Sequence, residues 1–220
     1  VYSDLGDYPK ALEYHNKARE IHESLNDRLG MSRDYNNIGL VYSDLGDYPK
    51  ALEYHNKARD IDERLINRDG NKTMSDSHSN DSWLALVNDY LVNDYVNIGL
   101  TLDSLEDYHK AIEYYDMALK ISPQSVLPLD NKGYVLYELE KHDEAIRLAT
   151  MAIELDSTYA NVWYNRAIYY AHTDRIDEAI GDLKEAISLN EQYGQNALTD
   201  KDFDKIRDNP RFVELLKGFK

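Results

Sequence analysis

The sequence contains no cysteine, which excludes disulfide bonds and metal sites built from thiolates. This absence fits a reducing compartment, so we expect a cytoplasmic protein. No apolar stretch approaches the roughly 18 residues that a membrane-spanning helix requires, and no secretory signal is visible at the start of the chain. Because Val1 falls in the middle of a recurring unit, we interpret the chain as a fragment whose preceding part holds further repeats.

Motifs that carry chemistry are also missing. The chain has no glycine-rich phosphate loop, no HExxH pattern and no nucleophile with a base at motif spacing. Its seven histidines are scattered, and His15 and His22 share one predicted helix without a third ligand to complete a metal geometry. We therefore expect no catalytic residue, no metal site, no cofactor and no enzymatic activity.

Basic residues are outnumbered, with 25 lysines and arginines against 41 acidic residues and a formal net charge of −16. Such a surface repels phosphate backbones and anionic lipids, so we expect neither nucleic acid nor membrane as a partner. A simpler alternative remains open, because charged faces of helices often serve only to keep a protein in solution.

A repeated unit dominates what is present. The segment VYSDLGDYPKALEYHNKAR occurs twice without a change, at residues 1–19 and 41–59. A complete unit starts near Tyr35, and looser copies start near Tyr95, Leu129 and Trp163. Self-similarity at this spacing is typical of arrays in which each repeat is one supersecondary element.

Large and small residues alternate within the unit in a way that predicts pairs of antiparallel helices. Side chains must be small where two helix backbones approach most closely. Asp7 and Asp47 are candidate N-caps for second helices with a proline in the first turn, where the missing N–H has no helical partner. The small positions are Gly39, Gly99, Gly133 and Ala167 in the first helices, and Ala11, Ala51, Ala111, Ala145 and Ala179 in the second.

This pattern resembles the tetratricopeptide repeat (TPR) family. The first copies, about 40 residues apart, resemble the longer variant of kinesin light chains and the polarity adaptor LGN, and the later ones have the ordinary length of about 34 residues. The resemblance implies an all-α fold, a right-handed α-solenoid of antiparallel helix pairs. The final stretch TDKDFDKIRDNPRFVELLKGF resembles the short helical tail that closes many microbial TPR arrays.

The predicted organisation has four parts. Copies one (truncated) and two occupy residues 1–67, copies three to five occupy 83–190, and a helical cap occupies 191–220. Residues 68–82, RDGNKTMSDSHSNDS, carry almost no apolar side chain, so we expect a mobile polar loop. The pentapeptide LVNDY stands twice in tandem at 86–95 and is expected to lengthen a helix. Gly30 is expected to break the helix of copy one.

One position is asparagine in every copy whose first helix is complete. The resemblance implies that first helices line a concave groove and that this position points into it, like the asparagine ladders of kinesin light chains and of the O-GlcNAc transferase repeats. Stacked amides offer the donors and acceptors that an extended peptide backbone requires. Alternatively, each amide bonds only a neighbouring helix. The four asparagines are Asn37, Asn97, Asn131 and Asn165.

Further groove residues follow from the same register. Chaperone-binding TPRs hold a terminal carboxylate with lysines, and no lysine stands at the corresponding positions here, so we expect a protein or peptide partner that is neutral or basic and carries apolar anchors. The implied function is a non-catalytic protein–protein interaction scaffold that binds an extended peptide or helix. The alternative is self-association, or an intramolecular regulatory or assembly module of a larger multidomain protein. The residues predicted to surround the asparagines are Arg33, Asn36, Leu40, Asn93, Leu100, Tyr134, Tyr137, Asn161, Tyr164 and Ile168.

Overall fold

The computed structural model describes residues 6–69 and 79–219, and every regular element within these ranges is helical. The chain divides into two compact units, residues 1–123 and 124–220. In the described part, the N-terminal unit has the helices α1 (Tyr8–Ser24), α2 (Arg28–Asp44), α3 (Tyr48–Asp69), α4 (Ser79–Ser104) and α5 (Tyr108–Ile121). The C-terminal unit has α6 (Val126–Glu138), α7 (His142–Leu155), α8 (Ala160–His172), α9 (Ile176–Leu189), α10 (Gln192–Thr199), a 3-10 helix (Lys201–Ile206), α11 (Pro210–Leu215) and a final 3-10 turn (Lys217–Phe219).

Helices that follow one another in the chain pack against each other within each unit. The prediction of an all-α fold built from helix pairs is therefore confirmed. None of the helices in residues 6–69 and 79–219 combines the length and the apolar character needed to cross a membrane.

The duplicated second helices begin as the sequence predicts. Asp7 accepts a hydrogen bond from the backbone N–H of Lys10 at 3.3 Å, and Asp47 accepts the same bond from Lys50 at 3.3 Å. Each satisfies an N–H that would otherwise lack a partner in the first helical turn. The turn before α3 passes through Gly46 at φ 73°, a left-handed conformation that glycine adopts without strain.

The expectation that Gly30 breaks a helix is wrong. Gly30 lies in the first turn of α2, and the turn between α1 and α2 contains Asn26 in a left-handed conformation at φ 54°. A Cβ atom on Gly30 would lie 2.6 Å from the His22 ring. The glycine is therefore required for the close approach of α1 and α2 and not for a chain reversal.

The small positions of the repeat face large rings, as the alternation predicts. A Cβ atom on Gly39 would lie 2.6 Å from the ring of His55, and one on Gly99 would lie 2.5 Å from the ring of Tyr115. Both rings are buried with no exposed surface. Helix pairs α2/α3 and α4/α5 therefore pack through a ring set directly against the backbone of the opposite helix.

The tandem LVNDY segments both lie within α4, which has 26 residues. Val87 from the first segment is fully buried, and Leu91 and Val92 from the second join a core cluster with Tyr95 and Val96. The expected lengthening of the helix is confirmed.

The predicted loop over residues 68–82 overlaps a helix at each end. Residues 68–69 belong to α3 and residues 79–82 to α4, and residues 70–78 lie outside the described part of the chain.

The segment after α9 packs on the last helix pair of the C-terminal unit. Its 3-10 helix contacts α8, while α10 and α11 contact α9. Phe203, Ile206, Phe212 and Leu216 are each at most 2% exposed. This segment therefore buries the apolar side of α8 and α9 that would otherwise face solvent.

Replacing Gly99 by alanine tests the ring-on-backbone packing. The added Cβ would lie 2.5 Å from Tyr115, so we expect Gly99→Ala to lower the free energy of unfolding by about 1–3 kcal/mol through overpacking. Gly133→Ala is the matched control, because its Cβ would meet nothing closer than 3.6 Å, and helix propensity should make it neutral or stabilising by up to about 1 kcal/mol. Urea denaturation followed by circular dichroism measures both. Equal effects of the two substitutions would contradict the packing argument.

Candidate functional site

A cavity of about 330 Å³ lies between the first helices of the N-terminal unit. Arg33, Leu40 and Asn93 at its border are exposed, whereas the amides of Asn36 and Asn97 are half-buried. Several of the side chains that the sequence predicts for a peptide groove therefore meet at one place. The lining comes from Ser32, Arg33, Asn36, Asn37 and Leu40 of α2 and from Tyr90, Asn93, Asp94 and Asn97 of α4.

The amide of Asn97 joins the two helices on either side of this cavity. Its Nδ2 donates to Oδ1 of Asn36 at 2.9 Å, and Nδ1 of His55 lies 2.9 Å from the same oxygen. Burial lowers the pKa of His55 to about 4, so the ring is neutral at physiological pH. Since the shared oxygen is an acceptor, His55 carries its proton on Nδ1 and donates it. Asn97 thus bonds a neighbouring helix, the alternative left open by the sequence, while it also lines the cavity.

A pair of buried carboxyl groups lies at the floor of the cavity. Asp94 of α4 is 2% exposed and lines the cavity, and Asp62 of α3 is fully buried. Burial, together with the negative charge of Asp62, raises the pKa of Asp94 to about 9. Burial also raises the pKa of Asp62. Asp94 therefore keeps its proton at neutral pH in the folded chain.

In the C-terminal unit, two asparagines bind a buried carboxylate. Asn161 and Asn165 donate their Nδ2 hydrogens to the two oxygens of Asp130 at 2.7 and 2.9 Å, and the hydroxyl of Tyr193 donates to Oδ1 of Asn161 at 3.1 Å. Asp130 is 2% exposed; burial raises its pKa, while the bonds from Asn165 and Asn161 oppose the rise. Asn165 therefore stabilises the fold of its own unit.

Three residues predicted for an open groove are buried, and two of them, Tyr137 and Tyr164, contact the C-terminal segment. Tyr137 and Tyr164 are buried and donate their hydroxyl hydrogens to Asp202 and Asp200, at 2.9 and 2.6 Å. The ring of Tyr164 also packs on Phe203 with centroids 5.5 Å apart. Ile168 is 6% exposed. The expectation that these side chains face solvent is corrected, because the two aspartates accept the tyrosine hydroxyls and bring the segment over them.

The remaining predicted residues divide between solvent and interior. Leu100 and Tyr134 are 39% and 40% exposed. Asn131 is half-buried, and its Nδ2 has no hydrogen-bond partner among residues 6–69 and 79–219.

Sequence reasoning did not single out Asp62. The sequence does mark Asp62 as unusual. It stands three residues after the end of the second identical segment, at the position where the preceding copy has His22.

Alanine at Asn165 tests whether its amide is structural. Asn165→Ala removes one of the two donors from the buried Asp130, so we expect the free energy of unfolding to fall by about 1–3 kcal/mol. Asn37→Ala, at the same repeat position but on the cavity, should change stability by less than about 0.5 kcal/mol. Urea denaturation of both variants measures the two changes in the free energy of unfolding. A silent Asn165→Ala would show that its bond to Asp130 does not hold the unit together.

The buried pair predicts a pH dependence of stability. The unfolded chain releases the Asp94 proton near pH 4 and the folded chain near pH 9. Between these values the folded state binds more protons, so the free energy of unfolding falls as pH rises, by at most about 1.4 kcal/mol per pH unit for one proton. Arg59 of α3 opposes the shift and Glu63 adds to it, and Arg33 of α2 lines the same cavity.

Asp94→Asn removes this titration and should flatten the fall in stability between pH 5 and 8, values about one unit inside the two limits. Asp89→Asn is the matched control, since Asp89 occupies the same place in the first LVNDY segment and is exposed. Urea denaturation at several pH values measures the slopes. The same slope in wild type and Asp94→Asn would refute a raised pKa at this position.

Comparisons with known proteins were made on the whole chain. Family models described as tetratricopeptide repeat match residues 1–64, 92–125 and 160–193. No match was found among the curated proteins.

Solved structures share the fold at low sequence identity. BtubC (BKLC) from P. vanneervenii has a TM-score of 0.71 at 15% identity, covering 96% of this chain and 89% of that one. MamA has a TM-score of 0.59 at 17% identity, covering 87% and 93%. YrrB, described as a TPR protein with an unusual peptide-binding site, has a TM-score of 0.53 at 20% identity, covering 86% and 81%. Helix pairs, small residues at the close contacts and matches along much of its length show that this chain belongs to the tetratricopeptide repeat family.

Proposed function

We propose that the chain is a non-catalytic protein-interaction module and that its N-terminal unit binds a peptide at the cavity between α2 and α4. The observation that carries the proposal is the combination, around one opening of about 330 Å³, of amide side chains with exposed apolar ones. Amides can pair with the N–H and C=O groups of an extended peptide, and apolar side chains contribute affinity by leaving water.

The polar part of the proposed site consists of amides that differ in their hydrogen bonding and exposure. Asn36 and Asn97 are bonded to each other, so they border the site in a preset orientation. Asn37 and Asn93 lie at the same cavity, with Asn93 exposed. A preset amide loses little conformational entropy when a peptide binds, and an exposed one can adapt to it.

The apolar part consists of Leu40, 41% exposed on α2, and Leu100, 39% exposed on α4. They stand one turn after Asn36 and Asn97 respectively, so they lie on the same helical faces as the amides. A peptide that pairs with the amides could place an apolar side chain on these leucines. This supports a partner with apolar anchors.

The C-terminal unit is a weaker candidate for such binding. Tyr137 and Tyr164 there are engaged by the chain's own C-terminal segment. This self-contact favours, as a second function, a module that holds a segment of its own polypeptide.

A peptide-display selection on the full chain, followed by affinity measurement on the selected peptide, tests the first function. The double variant Asn37→Ala, Asn93→Ala should weaken binding about tenfold, because two peptide hydrogen bonds worth about 0.5–1.5 kcal/mol each are lost. The matched control is Glu113→Ala with Met117→Ala, two exposed residues of α5, and should bind as wild type does.

Two outcomes would contradict the proposal. Either the selection yields no saturable peptide, or the α5 control loses as much affinity as the cavity variant. Concentration-dependent self-association in sedimentation, with no selected peptide, would instead indicate that the chain associates with itself.

A further inference from the structure

The carboxyl pair below the cavity has a counterpart one repeat earlier. Residues 15–19 and 55–59 are identical, and His22 and Asp62 each stand three residues after them. Likewise Asp34 and Asp94 each stand directly before the tyrosine that opens the next copy. The contact between α1 and α2 thus pairs His22 with Asp34, whereas the equivalent contact between α3 and α4 brings Asp62 close to Asp94.

The two equivalent contacts differ in their hydrogen bonding. At the first contact, Nδ1 of His22 lies 2.6 Å from Oδ2 of Asp34, so the carboxylate has a donor. At the second, the carboxyl groups of Asp62 and Asp94 share a proton between them, with Ser32 as the other neighbour of Asp62, and no basic group pairs with either oxygen of Asp62 or with Oδ2 of Asp94 in the described part of the chain. Asp62 is fully buried and Asp94 is 2% exposed. Buried polar atoms of this kind are normally paired, because leaving them unpaired costs free energy.

The nearest base on α3 is directed to other partners. Nη2 of Arg59 lies 2.6 Å from Oδ1 of Asp60, and Nη1 donates to the hydroxyl of Tyr114 at 2.9 Å. Glu63 adds a further negative charge and accepts a bond from the hydroxyl of Tyr95. Because Nε of Arg59 also lies 3.7 Å from Oε1 of Glu63, its positive charge is directed to acidic groups other than Asp94, and Asp94 lines the cavity through which a cation from outside could approach it.

We propose, on the basis of the function above, that the cavity between α2 and α4 receives an arginine or lysine side chain of the bound peptide. The cationic group of this side chain pairs with Asp94, which lines the cavity next to the buried Asp62. The aliphatic stem of such a side chain would lie along Tyr90 and Leu40, which line the cavity. Its N–H groups would donate to carboxyl oxygens that have no basic partner in the described part of the chain. An arginine fits this arrangement well, because its planar donors can pair with a carboxylate in a bidentate manner.

Binding of the cation would release a proton. Asp94 holds its proton at neutral pH because burial and the charge of Asp62 raise its pKa. A cation favours the ionised carboxylate, so the affinity should increase as pH rises towards the pKa of Asp94. The other charged groups around Asp94 are Arg33 on α2 and Arg59 and Glu63 on α3.

Nuclear magnetic resonance titration of the full, ¹⁵N-labelled chain with N-acetyl-arginine amide tests the inference. The expected result is saturable shifts of α2 and α4 resonances that are stronger at pH 8 than at pH 6. N-acetyl-citrulline amide, which has the same shape without the charge, should bind at least about tenfold more weakly, a difference of about 1.4 kcal/mol.

Three variants sharpen the test. Asp94→Asn should lose the arginine response, and so should Asp62→His, which places an imidazole where His22 stands in the preceding copy. Asp89→Asn, the exposed equivalent in the first LVNDY segment, should respond as wild type does. Equal binding of the citrulline and arginine amides by wild type would overturn the inference, and this comparison does not depend on how well any variant folds. The inference would also be overturned if Asp89→Asn lost the response to arginine amide to the same extent as Asp94→Asn.

The inference and the proposed function can fail separately. A display-selected peptide that needs Asn37 and Asn93 but has no basic residue, and that binds Asp94→Asn as well as wild type, would sustain the peptide site and refute the cation site. Absence of any saturable response to arginine amide would also refute the cation site, whatever the selection yields.

Discussion

The close approach of paired helices is the constraint on which the rest of this structure depends. Gly39 and Gly99 allow the rings of His55 and Tyr115 to lie directly against a helix backbone. These contacts require the glycine side of each first helix to face its partner helix. This fixes the rotation of the first helix about its axis, because the direction of each side chain is determined by its position on the helix. The rotation in turn determines which side chains of α2 and α4 can meet, and so places the amides and Asp94 around one cavity.

Polar groups inside the units extend this constraint to neighbouring first helices. In the N-terminal unit Asn97, Asn36 and His55 form one hydrogen-bonded chain. In the C-terminal unit the corresponding role falls to Asp130 with Asn161 and Asn165. A buried polar group that lacks a partner is costly, so these bonds favour one arrangement of the helices over others. Asn97 and Asn165 are thus primarily residues of the fold, whereas Asn37 and Asn93 border the cavity and supply the amides for a peptide under the proposed function.

The sequence predicts the repetitive part well and the rest poorly, for a physical reason. Repeat spacing and the alternation of large and small residues depend on local packing, which recurs in each copy, so the helix pairs and the lengthened α4 followed from them. Gly30 was misjudged because a buried glycine and a helix-breaking one look alike in sequence. The contacts of Tyr137 and Tyr164 with Asp202 and Asp200 depend on where a non-repeating segment folds back, and the periodicity of the sequence carries no information about that.

The contrast between His22 and Asp62 bears on why the buried pair persists. A histidine at the second contact would pair with Asp94 as His22 does with Asp34, whereas burial beside Asp62 raises the pKa of Asp94 and disfavours its ionised form. Positions that lower stability in an otherwise well-packed protein tend to be those that function requires. Because the cavity ends at Asp94 and not at Asp34, the destabilising pair lies where a partner's cation could reach it. The proposed cation site therefore accounts for both the location of the pair and its cost.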